Sequence, residues 1–396
     1  MGNPLLSLLD LSKAEKEARG LSHTPREIFQ QPATWRNTYR YLSGKRQETA
    51  EFLKSTHIRD GERAPAVFLI GAGTSDYVGR ALTRLLRRKW RTEVWAVPST
   101  DLLTDPGDFL HPDRDYLWIS FSRSGDSSEG VAVLTKALAA GPRVRHMVIT
   151  CNPAGAMARL CASEPERALA IVLDDAVNDR GLAMTSSFTN MVVAGQCLAH
   201  LEDLEHYGEI LECVATAGST AIEEGSEIAS AIVASGFSRA CFVGSGALSA
   251  VADEAALKVL ELTAGRVCAV SQSTLGFRHG PMSALDGGTL FVQFVSGSAP
   301  RKNYDLDLLK EIRAKNLGKL CVAVSPRPCA ELHALVDRNL CLCLPESIDD
   351  LYRPPLDIVT GQLIGLFASI REGLEPDRPS PTGAISRVVA GVTIYS

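Results

Sequence analysis

Short, nearly uninterrupted apolar runs alternate along this chain with longer amphipathic stretches. "APAVFLIGAG" is apolar up to its closing glycine and precedes "DYVGRALTRLLRRKW", which has the apolar spacing of a helix. "YLWISFSRSG" precedes "SSEGVAVLTKALAA", and "RHMVITCNPAG" precedes "AMARLCA". "ALAIVLDD" leads through a loop to the helix-like "FTNMVVAGQCLAHL". A strand with one face in water would alternate apolar and polar residues. These runs do not, so they read as strands buried on both faces of a parallel sheet covered by helices. Residues 1–60 read as helices, and the Thr-Pro of "TPREIFQQPATWRNTYRYL" suits a helix start.

The second half repeats the pattern. "RACFVGSGA" matches "AVFLIGAGT", with Gly244 lying 173 positions beyond Gly71. "GTLFVQFVSGS" matches "DYLWISFSRSG", "GKLCVAVSPRPC" matches "RHMVITCNPAG", and "RNLCLCLPESIDD" matches "RALAIVLDDAVND". Four strand-and-loop units recurring in one order predict an α/β protein of two doubly wound, flavodoxin-like parallel-sheet domains related by an internal repeat. The expected segments are an N-terminal helical arm (1–60), a first domain (61–204) and a helical bridge (205–235). A second domain (236–380) and a C-terminal tail (381–396) contributing to the active site complete the division.

A length of 396 residues suits two cores rather than one. With 45% hydrophobic and 22% charged residues, the composition is that of an ordinary globular protein. A net charge of -5 argues against nucleic acid or an anionic membrane as main partner. The ten cysteines include no C-x-x-C and sit mostly in apolar runs, as reduced core thiols do. The eight histidines are scattered, so no metal site is expected, and the loop "GAGTSDYVG" gives no reason to expect a cofactor. The start lacks the basic and apolar regions of a secretory signal, Leu6 breaks the N-myristoylation pattern, and no window has the roughly 18 apolar residues of a membrane span. The chain reads as cytoplasmic.

Two strand exits carry candidate chemistry. In "GAGTSDYVG", Asp76 stands where a dinucleotide fingerprint needs its third glycine, and a carboxylate there would repel a pyrophosphate. "SRSGDSS" fits a single phosphate better. It leaves a strand and opens a helix, where free N–H groups and the helix dipole favour an anion. Ser122, Ser124 and Ser127 offer hydroxyls there and Gly125 permits close approach, although a capped turn would use one such hydroxyl as well. Asp126 and Glu129 then have to face away from the anion. The matching loop of the second half, "VSGSAPRKNY", lacks the motif.

That half is richest in "DEAALKVLELTAGRVCAVSQSTLGFRHGP". Glu254, Lys258 and Glu261 fall at i, i+4 and i+7, on one helix face. An exposed salt-bridged stripe would look the same, but Leu257, Leu260 and Ala264 make the rest of the helix apolar, so a partly buried carboxylate beside a lysine is a candidate general base. His279 sits in a turn stiffened by Gly280-Pro281.

Taken together, "GAGTS", "SFSRSGDSSE", "AMTSS", "EAALKVLELTAG" and "FRHGP" resemble the sugar isomerase (SIS) family in order and spacing, from about Pro65 to the C-terminus. "VPSTDLLTDP", "NDRGLAMTSS" and "NYDLDLLKEIRAKN" resemble its tagatose-6-phosphate ketose/aldose isomerase group, also described as galactosamine-6-phosphate deaminases. The resemblance implies that Ser75, Ser122, Ser124 and Ser127 bind a sugar phosphate, with Gly73, Thr74, Gly125 and Ser186 in the same motifs. It implies Glu261 as the base that moves a proton between C1 and C2, with Lys258 and Glu254 tuning or orienting it. It implies His279 as the ring-opening group, supplied across a homodimer or larger homo-oligomer. Two positions depart from the family. Arg123 replaces a glutamine and adds a cation near the ligand. Arg387 replaces a lysine able to form an imine, and a guanidinium can only bind and polarise.

The chain also shows no glutamine-hydrolysing module, so ammonia release is the expected direction for an amino sugar 6-phosphate. The expected reaction turns galactosamine 6-phosphate and water into tagatose 6-phosphate and ammonia. Rival readings are a non-catalytic sugar-phosphate sensor, a glucosamine-6-phosphate deaminase and a fructosamine-phosphate deglycase. Residues 1–60 show no helix-turn-helix for a sensor's DNA-binding part.

Overall fold

The computed structural model describes residues 2–140, 143–389 and 391–395. Each half of the repeat folds into a five-stranded parallel sheet. In the first, β1 (Ala66–Gly71), β2 (Val94–Pro98), β3 (Tyr116–Ser122), β4 (Val144–Thr150) and β5 (Ala168–Val172) lie in the order β2-β1-β3-β4-β5. In the second, β6 (Arg239–Gly244), β7 (Cys268–Ser273), β8 (Thr289–Phe294), β9 (Leu320–Ser325) and β10 (Arg338–Cys341) lie in the order β10-β9-β8-β6-β7. Read from the opposite edge, that is the same order, so β6 repeats β1 and β8 repeats β3. Even the register is preserved. Leu69 pairs with Ile119 across β1 and β3, and Phe242 pairs with Val292 across β6 and β8.

The strands β2 and β7, each at one edge of its sheet, are absent from the hydrophobic pattern, and both are incompletely covered: β2 exposes Trp95, and β7 has no buried residue. "CAVSQS" is broken by polar residues, and "VWAVP" is an apolar run of only five residues closed by a proline. The bridge is one helix of 31 residues, Leu204–Ala234. The arm is helical, and its long predicted helix divides at Gln30 into Thr24–Phe29 and Gln31–Gly44.

Packing groups the described residues into two compact units that cut across the expected segments. The β6–β10 unit takes the chain up to Ala33, Asp179–Thr185 and Ile210–Ile385. The β1–β5 unit takes Thr34–Asn178, Ser186–Glu209 and the chain from Ser386. Arm, bridge helix and tail are thus each divided. Hydrogen bonds show why. Glu27 accepts from the N–H groups of Arg180 (2.5 Å) and Gly181 (3.3 Å), fixing 179–185 to the start of the chain. Thr38 and Thr34 bond instead to Asn190, at 2.7 and 2.9 Å.

Candidate active site

The expected site residues divide between the two units. Gly73, Thr74, Ser75, Ser122, Arg123, Ser124, Gly125, Ser127, Ser186 and Arg387 belong to the β1–β5 unit. Glu254, Lys258, Glu261 and His279 belong to the β6–β10 unit.

In the β1–β5 unit, β1 and β3 are hydrogen-bonded neighbours, with Ile70 opposite Ser120, so their carboxyl ends open side by side. β1 ends at Gly71. A Cβ there would lie 2.3 Å from the Ser75 carbonyl carbon, so only glycine lets the strand run against the first turn of the helix Thr74–Trp90. Gly73, at φ +55°, makes the turn. Thr74 and Ser75 are buried in that first turn, and Asp76 pairs with Arg80 at 2.8 Å.

β3 ends at Ser122, and the loop 123–127 leads into the helix Ser128–Ala140. The Gly125 N–H donates to Ser122 Oγ (3.0 Å) and the Asp126 N–H to Ser124 Oγ (3.2 Å). Each hydroxyl accepts from the backbone and keeps its own O–H to give to an anion. Gly125 takes φ +66°. Asp126 is turned to a neighbouring element. Its carboxylate accepts from the Ala156 N–H (2.8 Å) and from Asn152 Nδ2 (3.2 Å), capping the helix Ala156–Ser163. This is how the loop accommodates an acid among its donors.

Arg123 is buried, and its Nη2 donates to the Arg387 carbonyl at 2.5 Å. Arg387 in turn donates to Asn178 Oδ1 at 2.7 Å, and the Ser128 N–H meets the Val389 carbonyl at 3.4 Å. The two arginines that depart from the family pattern therefore tie the tail to the serine loop and to the 3-10 turn Asp175–Val177 that follows β5. Asn178, the partner of Arg387, had no signal in the sequence beyond its place in "NDRGLAMTSS". Ser186 is fully buried at the start of the helix Ser186–Ala199, its carbonyl taken by Thr189 and Asn190.

In the β6–β10 unit, the helix Leu248–Leu262 carries the charged stripe inward. Lys258 and Glu254 have no exposed side-chain area, while Glu261 is 23% exposed. Lys258 Nζ lies 3.3 Å from Glu254 Oε1 and 2.5 Å from Glu261 Oε2. Burial alone would lower the lysine's pKa, but the two carboxylates outweigh it and hold the ammonium above its ordinary value. The burial has a clear origin. The helix packs on Pro354–Arg371, where a Cβ at Gly361 would sit 2.5 Å from Ala255 Cβ and one at Gly365 would sit 3.1 Å from the Lys258 carbonyl. Two glycines four residues apart let the backbones approach and enclose Lys258.

His279 is exposed at the end of the 3-10 turn Gly276–Arg278. The turn is pinned on both sides of its backbone. Phe277 is buried against Phe291, and Arg278 bonds Glu311 (2.6 Å) and Asp307 (3.0 Å). Gly280, at φ +123°, then redirects the chain.

Sequence reading did not reveal two buried acids at the carboxyl edge of this sheet. Asp305 accepts from Thr274 Oγ1 (2.6 Å), Ser245 Oγ (3.1 Å), Gln293 Nε2 (3.2 Å) and the Ser296 N–H (2.8 Å). Burial still lifts its carboxyl above the usual range. Asp350 accepts from the Gly297 N–H (2.8 Å), from Ser296 Oγ and from Arg353 Nη1 (2.7 Å). Burial opposes its charge, but Arg353 and those donors prevail and keep it below its ordinary value. The β8 loop, which lacks the serine motif, is thus filled by a carboxylate of its own unit. Among the described residues there is no cluster of three or more metal-ligating side chains and no helix long and apolar enough to cross a membrane.

The SIS domain model matches residues 62–201. An AgaS protein of Streptomyces coelicolor is 41% identical over 378 residues, covering 94% of this chain and 95% of that one. The Escherichia coli D-galactosamine-6-phosphate deaminase AgaS is 36% identical over 94% of this chain and 95% of its own. The crystal structure of tagatose-6-phosphate ketose/aldose isomerase from Escherichia coli superposes with a TM-score of 0.85 and 32% identity, covering 94% of this chain and 96% of that one. With the duplicated sheet order, the serine loop after β3 and relatives matched along nearly their whole length, the chain belongs to the SIS domain family, among its AgaS-type members.

Proposed function

We propose that this protein converts D-galactosamine 6-phosphate and water to D-tagatose 6-phosphate and ammonia. The observation that carries the reading is Glu261, a carboxylate held at 2.5 Å by a fully buried lysine yet still reachable from outside its helix. Its free electron pair takes the C2 proton of the open-chain amino aldose, giving an enolamine. Returning the proton to C1 leaves an iminium at C2. Water adds to that carbon, the C–N bond breaks, and ammonia leaves with the ketose phosphate behind. Ser75, Ser122, Ser124 and Ser127 hold the phosphate, and Arg123 and Arg387 secure the tail beside their loop. Lys258 fixes and neutralises the base, with Glu254 behind it. His279, on its rigid turn, opens the sugar ring from a partner subunit. A 2-hydroxy substrate would undergo the same proton shuttle without loss of nitrogen, and the isomerase name of the Escherichia coli structure favours that as a second activity.

Purified protein incubated with galactosamine 6-phosphate should release ammonium and ketose phosphate in equal amounts, faster than with glucosamine 6-phosphate. Glu261→Gln should lower kcat by about 10²–10⁴-fold, the usual contribution of a positioned base. Undetectable ammonium from both sugars, or full activity in Glu261→Gln, would refute the proposal.

A further inference from the structure

The β1–β5 unit holds a second concave site away from its serine loop. A cavity of about 440 Å³ opens at the amino ends of β3 and β4, bounded by Tyr116 and Val144, the first residues of those strands. The serine loop leaves β3 at its other end, six positions along, or about 20 Å at strand rise. The cavity is a gap within the apolar layer. Its walls are Leu102, Tyr116, Trp118, Val133 and Ala137, all buried, and the half-buried Leu110. The helix Ser128–Ala140 contributes the small side chain of Ala137 where a larger one would close the space.

The rim has a different character. His111, Arg114, Lys136 and Arg143 line it, and no Asp or Glu does so among the described residues. Arg114 is paired with Glu93 at 2.8 Å. Lys136 donates to a backbone carbonyl, that of Tyr395, at 3.1 Å, and no Asp or Glu pairs with it among the described residues. The volume lies within the range of small-molecule sites, roughly 300–1,000 Å³, and an apolar floor with a few charges at the mouth is their usual construction. A hexose phosphate has no apolar body to fill such walls, so this site and the serine loop select different chemistry.

We propose that this cavity binds a small amphipathic anion, an aromatic or alicyclic body carrying one carboxylate or sulfonate. The ring packs against Tyr116 and Trp118, and the anion meets Lys136 and Arg143 at the mouth.

The probe is 8-anilinonaphthalene-1-sulfonate, titrated by fluorescence against the full chain, with naphthalene-1-sulfonate and uncharged 1-naphthalenemethanol as competitors. The proposal expects saturable binding of one probe per chain, displaced by the sulfonate at lower concentration than by the alcohol. Ala137→Phe should abolish it by filling the space. Lys136→Glu combined with Arg143→Glu should weaken it about tenfold, equivalent to ~1.4 kcal/mol. Near-UV circular dichroism of each variant confirms native packing, since loosened cores also take up this dye. The charge-reversal variant alters only exposed positions, so it decides the matter even if Ala137→Phe does not fold. Non-saturable binding, equal displacement by alcohol and sulfonate, or wild-type affinity in the charge-reversal variant would overturn the proposal.

Discussion

Lys258→Met nearly keeps the length of the side chain and deletes its charge at the centre of the Glu254–Lys258–Glu261 stripe. The ammonium lies 3.3 Å from Glu254, and neither side chain has exposed area. Coulomb attraction over that distance is about 5 kcal/mol at the effective dielectric of ~20 that suits protein sites. Stranding one partner of a buried pair costs about 3–5 kcal/mol, because the remaining charge keeps its desolvation penalty. Glu261 adds less, being 23% exposed and able to recruit water. Scanning calorimetry or a dye-based melt should show the affected transition lowered by about 6–20 °C, taking ~2–4 °C per kcal/mol for a unit of this size. Glu254→Gln in the same chain should restore most of the loss, since it removes the stranded charge. Lys258→Met within about 1 kcal/mol of wild type would refute the reasoning, as would a double variant no more stable than the single.

Two further expectations rest on other parts of the fold. Burial, reinforced by Asp179, pushes the Glu27 carboxyl up to about 8 from 4.5. The native chain therefore keeps a proton that the unfolded chain releases. This contribution to stability is complete below pH 4.5 and is lost as pH rises through 8, with a slope approaching ~1.4 kcal/mol per unit. Denaturant melts from pH 4.5 to 8 should show that slope in wild type and lose it in Glu27→Gln; identical profiles would refute the assignment. Gly71→Ala should destabilise by about 1–3 kcal/mol through overpacking and weaken inorganic phosphate binding measured by calorimetry. Gly287→Ala, whose Cβ meets nothing within 4 Å, is the control and should be neutral.

How much of this was legible in the sequence varies with burial. The inner strands declared themselves because both faces are covered, leaving no polar alternation. β2 and β7 did not, because β2 is a run of only five residues and β7 mixes polar with apolar positions. The repeat gave the topology, and its 173-residue offset survives in the pairing of β6 with β8. The inward turn of the Lys258 stripe depended on Gly361 and Gly365, about a hundred positions away, and spacing within one helix cannot disclose that. The Arg123–Arg387 contact was equally hidden. Both residues stood out in the sequence as departures from a pattern, but a side chain bonding a distant backbone carbonyl leaves no mark on either position. The compact units do not follow the arm: Glu27 fixes 179–185 to the start of the chain, and a bond between segments about 150 positions apart is not visible in either one.

The carboxylate of Asp350 in the β8 loop bears on stoichiometry. A duplicated fold suggests two equivalent sites per chain, and both copies do offer donors at the end of their third strand. In the second copy those donors, the Gly297 N–H and Ser296 Oγ, are committed to a carboxylate of the same chain, which dilution does not remove. On the proposed reading, each chain takes up one sugar phosphate rather than two.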